Sequence, residues 1–278
     1  MSILSAVLLG IVQGIAEFLP ISSSGHLSVL QNFFNMSTAE EGHLFFDVLL
    51  HLGTLVSVCL VYRRDIIVII ADVFACIHDS THPTPGGPRE YPGARLLMMM
   101  FFATLPLFVI LPVKSLIDGL YYNTWFIGIA FLFTGFVLHF SDRLPNGRKN
   151  ERNMRLSDAL FVGVCQAIAT VPGLSRSGST ISGGIFRGMD REFAAKFSFL
   201  ISIPAILGAN LLSLFDALDE GFDTELLPAY LIGTLVAMVV GYFSVSLVRI
   251  ICRRGHFGSF AYYCWLAGVV TIMLSIFM

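Results

Sequence analysis

The amino-acid sequence predicts an all-α polytopic membrane protein with six transmembrane helices plus two re-entrant helix-break-helix hairpins, arranged as an inverted-topology repeat. Three observations carry that prediction. Hydrophobic residues make up 55% of the 278 and charged residues only 13%, and mean hydropathy is +0.78, an apolar surplus beyond what one globular core can hide. Two apolar stretches are each interrupted by a proline and a cluster of polar groups. Those two stretches also align with one another without a gap, with eight identities in 23 positions.

In chain order, the first interrupted stretch runs from residue 3 to about 34 and carries Gln13, Glu17, Pro20, Ser22, Ser23, Ser24 and His26. A break of this kind at membrane depth is tolerated only where protein or a water-filled cavity satisfies the freed backbone, so the stretch is expected to enter the membrane and turn back. Uninterrupted windows at 44–62, 94–113 and 121–140 each have the length and apolarity of a complete span. The second interrupted stretch, 156–186, carries Gln166, Pro172, Gly173, Arg176 and more serines, and three further spans follow at 193–215, 226–249 and 259–278. The chain is therefore expected to form one integral membrane domain, 1–278. Its pseudo-repeat halves are 1–140 and 156–278, joined by a basic loop at 141–155.

Charge placement tests the topology. Arg143, Arg148, Lys149, Arg152 and Arg155 put the 141–155 loop inside by the positive-inside rule. Alternation then places 63–93, 187–192 and 249–254 inside, and each carries arginines. The loops left outside are 35–43 with Glu40 and Glu41, 114–120 with Lys114 alone, and 216–225 with Asp216, Asp219, Glu220, Asp223 and Glu225. This agreement requires both interrupted stretches to be re-entrant, and it puts both termini outside. The first basic residue is Arg63, so no signal-peptide n-region is present and the N-terminus is expected to belong to the mature fold. A formal net charge of −2 averages loops of opposite sign and gives no footprint for nucleic acid. Cys59, Cys76, Cys165, Cys252 and Cys264 are odd in number, form no CxxC and read as packing residues.

Shifted by 153 positions without a gap, SAVLLGIVQGIAEFLPISSSGHL (5–27) aligns with DALFVGVCQAIATVPGLSRSGST (158–180). The Q-x-I-A and S-x-S-G pieces recur in order. Each half holds one broken hairpin followed by three spans, and an odd span count inverts the second half relative to the first. The differences carry chemistry: Glu17, Ser23 and His26 in the first copy stand opposite Thr170, Arg176 and Ser179 in the second. A pseudo-twofold axis would bring acid, imidazole and fixed cation together.

Each of these groups also has a plain reading. Glu17 shares a helix face with Gln13 four residues earlier, and its plain role is to cap the break before Pro20; against that, an ionisable group deep in a membrane segment costs roughly 2.5–3.5 kcal/mol and is by default functional. Arg176 cannot deprotonate and sits among Ser175, Ser177, Ser179 and Thr180, an arrangement suited to phosphate oxygens. Snorkelling, or a structural ion pair with Glu17, is its alternative. His26 lies three residues after Ser23 and four after Ser22, so a helix starting at the serines sets imidazole and hydroxyl on one face; the alternatives are a general base or nucleophile and a helix-helix hydrogen bonder. The serines themselves suit both N-caps and phosphate binding at a helix N-terminus. Asp47 and His51, an i, i+4 pair, read better as a tie between helices than as orienters of catalytic groups. Lys196 is expected to snorkel. Gly233, Gly241 and Met98 to Met100 read as packing, and His43, His78, His82, His139 and His256 show no metal-ligand spacing.

The segments Q-G-I-A-E-F-L-P-I-S-S-S-G-H-L (13–27) and P-G-L-S-R-S-G-S-T-I-S-G-G (172–184) closely resemble the two signature regions of the undecaprenyl-diphosphate phosphatases of the bacitracin-resistance type. The resemblance extends in length and hydropathy along essentially the whole chain. It implies a bacterial inner-membrane enzyme that removes the terminal phosphate of undecaprenyl diphosphate, recycles the lipid carrier for cell-wall synthesis and opposes bacitracin. Carried over by motif position, it implies catalytic roles for Glu17, Ser23, His26 and Arg176. Ser175, Ser177, Gly178 and Thr180 fall in a phosphate-contacting segment, with Ser22 and Ser24 beside the nucleophile candidate. It also implies a divalent cation, Mg2+ or Ca2+. Many members carry E-G-x-x-E where this chain has Gln13, so Glu17, with Gln13 beside it, is the carboxylate left to hold that cation.

The expected mechanism has Arg176 clamping the terminal phosphoryl group, Ser23 or a water attacking in line, and His26 handling the proton with Glu17 orienting it or holding metal. A His26 nucleophile is the competitor. The isoprenoid tail is expected to leave sideways into lipid, with the head-group cavity open to the outside. A polyprenyl-phosphate flippase or transporter using the same midplane site is the alternative function, since broken helices in inverted repeats also mark carriers. Small-residue faces on the later spans would permit a homodimer.

Overall fold

The computed structural model describes residues 2–33, 43–81, 90–220 and 224–277. Among them the chain is helical throughout, with one isolated bridge between Lys149 and Met189 and no strand. The predicted outer loop 35–43, with its acidic pair, lies almost entirely outside the described residues, as does Asp223.

The first predicted break falls between α1 (Ile3–Ala16) and α2 (Ser23–Phe33). Pro20 cannot continue α1, and Ser22, at φ 69°, turns the chain in the left-handed region before α2 starts. Next come α3 (His43–Val61) and α4 (Arg63–Thr81), bent by 76° at Tyr62. The sequence reading places 63–93 in a loop; α4 instead forms a full amphipathic helix, with Ile67, Phe74 and Ile77 exposed and Ile69 buried. Its charged residues hide it from a search for uniform apolar windows. Then α5 (Pro92–Thr104) tightens into 3-10 turns at Leu105–Val109 and Leu111–Val113, where Pro106 and Pro112 remove backbone donors. It leads on to α6 (Lys114–Leu120) and α7 (Thr124–Asp142). The second break separates α8 (Leu156–Ile168) from α9 (Arg176–Phe186), with Gly173 at φ 88°. Finally come α10 (Arg191–Glu220), α11 (Leu227–Arg254) and α12 (Phe260–Phe277). Since α10 reaches Glu220, part of the predicted 216–225 loop is helix. Among the described residues five helices are long and apolar enough to cross a membrane, or six if the bent α3–α4 pair counts as one span. The protein is thus an all-helical, multi-pass membrane protein.

Packing crosses between the halves. Helix α1 lies against α11, where a Cβ on Gly10 would come within 2.4 Å of the Gly233 carbonyl oxygen. Helix α8 lies against α5, where a Cβ on Gly163 would come within 2.4 Å of the Ala103 carbonyl oxygen. Only glycine allows either backbone approach.

The segments the sequence assigned to one face are joined there by ion pairs. Asp158 receives Lys149 and Arg187, each at 2.8 Å, and Arg191 pairs with Asp142. Arg249 meets Glu192 at 3.1 Å, and Lys196 meets Asp65 of α4 at 2.9 Å. Lys196 is therefore a structural ion-pair partner, not a snorkelling cation.

Candidate active site between the two helix breaks

The two breaks face each other. Glu17 follows α1 directly, its carboxylate buried, and one oxygen, Oε1, pairs with Arg176 Nη2 from the start of α9. The other oxygen, Oε2, accepts from Ser23 Oγ at 2.9 Å and from Gln13 Nε2 at 3.2 Å. The Gln13 contact realises the i, i+4 relation read from the sequence. The acid of the first interrupted segment thus meets the cation of the second across 159 residues of chain.

A cavity of about 40 Å3 lies at this junction, lined by Ala16, Glu17, Ser22, Ser23, Ser24, Ala169, Leu174, Ser175 and Arg176. Its size suits a few water molecules. Helices α2 and α9 both start at this cavity, presenting their N-terminal N–H groups. Ser175 caps α9 by accepting from Gly178 N at 3.1 Å, and Ser22 Oγ accepts from Gly25 N at 3.3 Å.

Of the residues singled out from the sequence, Glu17, Ser22, Ser23, Ser24, Ser175 and Arg176 line the cavity together. The others are placed around it. Ser177 Oγ donates to Leu19 O at 3.3 Å, linking the breaks, and Thr180 Oγ1 donates back to Arg176 O at 2.8 Å. Gly178 packs tightly against Ser175 and Leu138. Both ring nitrogens of His26 have partners other than Ser23: Nδ1 lies 2.7 Å from Ser22 O and Nε2 lies 2.8 Å from Tyr263 Oη.

Two neighbours were missed or ranked low. His51 Nδ1 lies 2.8 Å from Asp47 O, so it carries the hydrogen, and Nε2 faces Glu17 Oε2 at 3.9 Å. The i, i+4 spacing of Asp47 and His51 was visible, but it works through the Asp47 backbone and brings the imidazole to the site. Tyr263 had no sequence signal, being one aromatic in an apolar run.

Among the described residues no three His, Cys, Asp or Glu side chains are placed to hold a metal ion. Gln13 Oε1, on the amide that bonds Glu17, is among the buried polar atoms without a hydrogen-bond partner, as are Gln166 Oε1 and Tyr62 Oη. Both Glu17 oxygens are taken within the protein, so a hard cation would be held by Gln13 Oε1 together with Glu17 Oε1 only where Arg176 has left it.

Fold and site together define a class: a multi-pass membrane protein whose carboxylate, hydroxyl and guanidinium are gathered between two helix breaks. Within that class, the chain belongs to the family described as bacitracin resistance protein BacA, which it matches over residues 6–270. It is 40% identical over 279 residues to the undecaprenyl-diphosphatase of Carboxydothermus hydrogenoformans, covering 99% of this chain and 98% of the relative. It is 39% identical over 280 residues to that of Methanosphaera stadtmanae, covering 99% of each. With the Alkaliphilus metalliredigens protein of the same name it shares 40% over 278 residues, covering 99% of this chain and all of the relative.

Proposed function

We propose that this chain hydrolyses undecaprenyl diphosphate to undecaprenyl phosphate and inorganic phosphate, the activity that its relatives' name states and that the family's tie to bacitracin resistance suits. The observation that carries the reading is the Ser23–Glu17–Arg176 chain, in which a hydroxyl donates to a carboxylate held by a guanidinium.

In this reading the terminal phosphoryl group draws Arg176 away from Glu17, and the α2 and α9 N-termini take its remaining oxygens. Ser23 Oγ attacks in line and passes its proton to the freed Glu17, the acceptor it already faces. Undecaprenyl phosphate leaves and takes the proton from Glu17, and the carboxylate so restored then takes a proton from the water that releases phosphate from Ser23 and returns it to the Ser23 oxygen. Ser23 is preferred over His26 as nucleophile because its hydroxyl already donates to the carboxylate that can take its proton. His26 stands beside the leaving group instead. A divalent cation on Glu17 and Gln13 would neutralise charge on the diphosphate.

The same reading includes two re-entrant hairpins in an inverted repeat and a location in the bacterial inner membrane. Support for the repeat comes from the crossed packing of α1 on α11 and α8 on α5. Support for a cytoplasmic basic face comes from the ion pairs joining the 63–93, 141–155, 187–192 and 249–254 segments. Both termini would then be outside. A homodimer through small-residue faces stays part of the proposal.

The test is phosphate release from undecaprenyl diphosphate by purified protein in detergent, with and without EDTA, beside folded Arg176→Ala. Metal-dependent release that collapses in the variant supports the reading. Transfer of labelled lipid without phosphate release would replace it with a carrier.

A further inference from the structure

His26 has a partner on the last helix. The Ser22 carbonyl beside Nδ1 can only accept, so Nδ1 carries the hydrogen and Nε2 the lone pair. The Tyr263 hydroxyl, 2.8 Å from Nε2, therefore donates to it. The two rings stack at 5.6 Å with an interplanar angle of 15°, and Phe131 closes on the imidazole at 4.9 Å. From behind, Tyr263 is held in register by its neighbour, since Cys264 Sγ donates to Pro20 O at 3.4 Å and ties α12 to the first break.

Its outer side is open. Tyr263 is 44% exposed and lies at the edge of a stripe formed by Tyr262, Leu266, Val269, Val270 and Met273. That stripe belongs to a helix long and apolar enough to cross the membrane, so it faces hydrocarbon. The Tyr263–His26 pair is a polar interruption at its edge. Ser23 and His26 are three residues apart on α2, about 4.5 Å along its axis. The pair thus stands about one turn along α2 from the attacking hydroxyl, and Tyr263 carries it to the exposed side of α12. If Ser23 takes the terminal phosphoryl group, the lipid-linked phosphate falls on this side.

We infer that Tyr263 is a specificity-determining residue whose hydroxyl turns from His26 Nε2 to an oxygen of the lipid-linked phosphate, receiving a polyprenyl diphosphate that arrives sideways from the bilayer. This rests on the phosphatase reading and assigns the second half of its substrate. The contact is made in ground and transition states alike, so its loss acts on binding more than on turnover.

Tyr263→Phe keeps the ring and its stack and removes only the hydroxyl. The inhibition constant of undecaprenyl phosphate, which carries the lipid-linked phosphate alone, should rise about tenfold, as expected for a lost hydrogen bond to a charged group. The KM for undecaprenyl diphosphate should rise with it while kcat stays within about twofold. Inhibition by inorganic phosphate should be unchanged in this variant and weakened in Arg176→Lys. Unchanged product inhibition, or equal weakening toward both inhibitors, would overturn the assignment. Tyr263→His, which returns an aromatic donor, serves as the second variant and should recover product inhibition; a protein as defective as the phenylalanine variant would count against it. Should the parent protein release no phosphate, the phosphatase reading fails by itself. Undecaprenyl phosphate binding followed by thermal shift then still decides Tyr263, with equal binding by parent and Tyr263→Phe sinking it.

Discussion

The pairing of Glu17 with Arg176 makes a quantitative prediction about stability and turnover together. Glu17 is 7% exposed and Arg176 20%, so removing either partner leaves the other charge mostly buried without its counter-ion. Breaking a fully buried pair costs about 3–5 kcal/mol. The partial access of Arg176 and the hydrogen bonds Glu17 keeps from Ser23 and Gln13 reduce this to about 2–3 kcal/mol for Glu17→Gln or Arg176→Met alone. The double variant has no stranded charge and should be no less stable than either single one, giving a coupling of about 2 kcal/mol. Thermal melting of the four proteins in one detergent reads the cycle. Turnover should behave differently. The amide introduced by Glu17→Gln would still accept from Ser23 but could not take its proton, so this variant should lower kcat by about 10²–10⁴ even where the protein is folded. Additive stability losses would show that the pair is not formed. A folded Glu17→Gln enzyme with near-normal kcat would remove Glu17 as the base.

Three further outcomes follow from the packing and the site. Gly163→Ala places a methyl group 2.4 Å from the Ala103 carbonyl oxygen and should destabilise by about 1–3 kcal/mol in melting experiments, whereas Gly119→Ala, with nothing within 4 Å of the new methyl, should be near neutral. Ser22, at φ 69°, holds a conformation that costs a non-glycine residue of order 1–3 kcal/mol; Ser22→Gly relieves it while losing a cap worth only a few tenths, so its melting temperature should rise. EDTA should suppress phosphate release, and added Mg2+ or Ca2+ should restore it, with Gln13→Leu needing more cation than the parent because the orphaned Gln13 oxygen is gone.

How much of this was legible in the sequence depends on the range of the interaction. The two breaks were, because Pro20, Pro172 and the serine runs act on the backbone nearest to them. The meeting of Glu17 and Arg176 agrees with the expectation drawn from the two matching segments, whose differences set an acid opposite a fixed cation. By contrast, α4 mixes charges into an apolar face and escapes a search for uniform windows. Lys196 reads as a snorkelling cation from its own surroundings, and its Asp65 partner comes from a helix 131 residues away. The placement of His26 went the same way. Its three-residue spacing from Ser23 suggested a shared task, while the Tyr263 hydroxyl that meets its ring comes from a helix 237 residues further along the chain. Spacing fixes the face of a helix, while the partner on that face comes from distant chain.

The most direct test of the account is a rapid acid quench of the enzyme during turnover of undecaprenyl diphosphate labelled on its terminal phosphate, followed by peptide mapping. The account predicts an acid-stable label on Ser23 that disappears in Ser23→Ala and is much reduced in Glu17→Gln. An acid-labile label on His26, or phosphate release at the parent rate by Ser23→Ala, would contradict it.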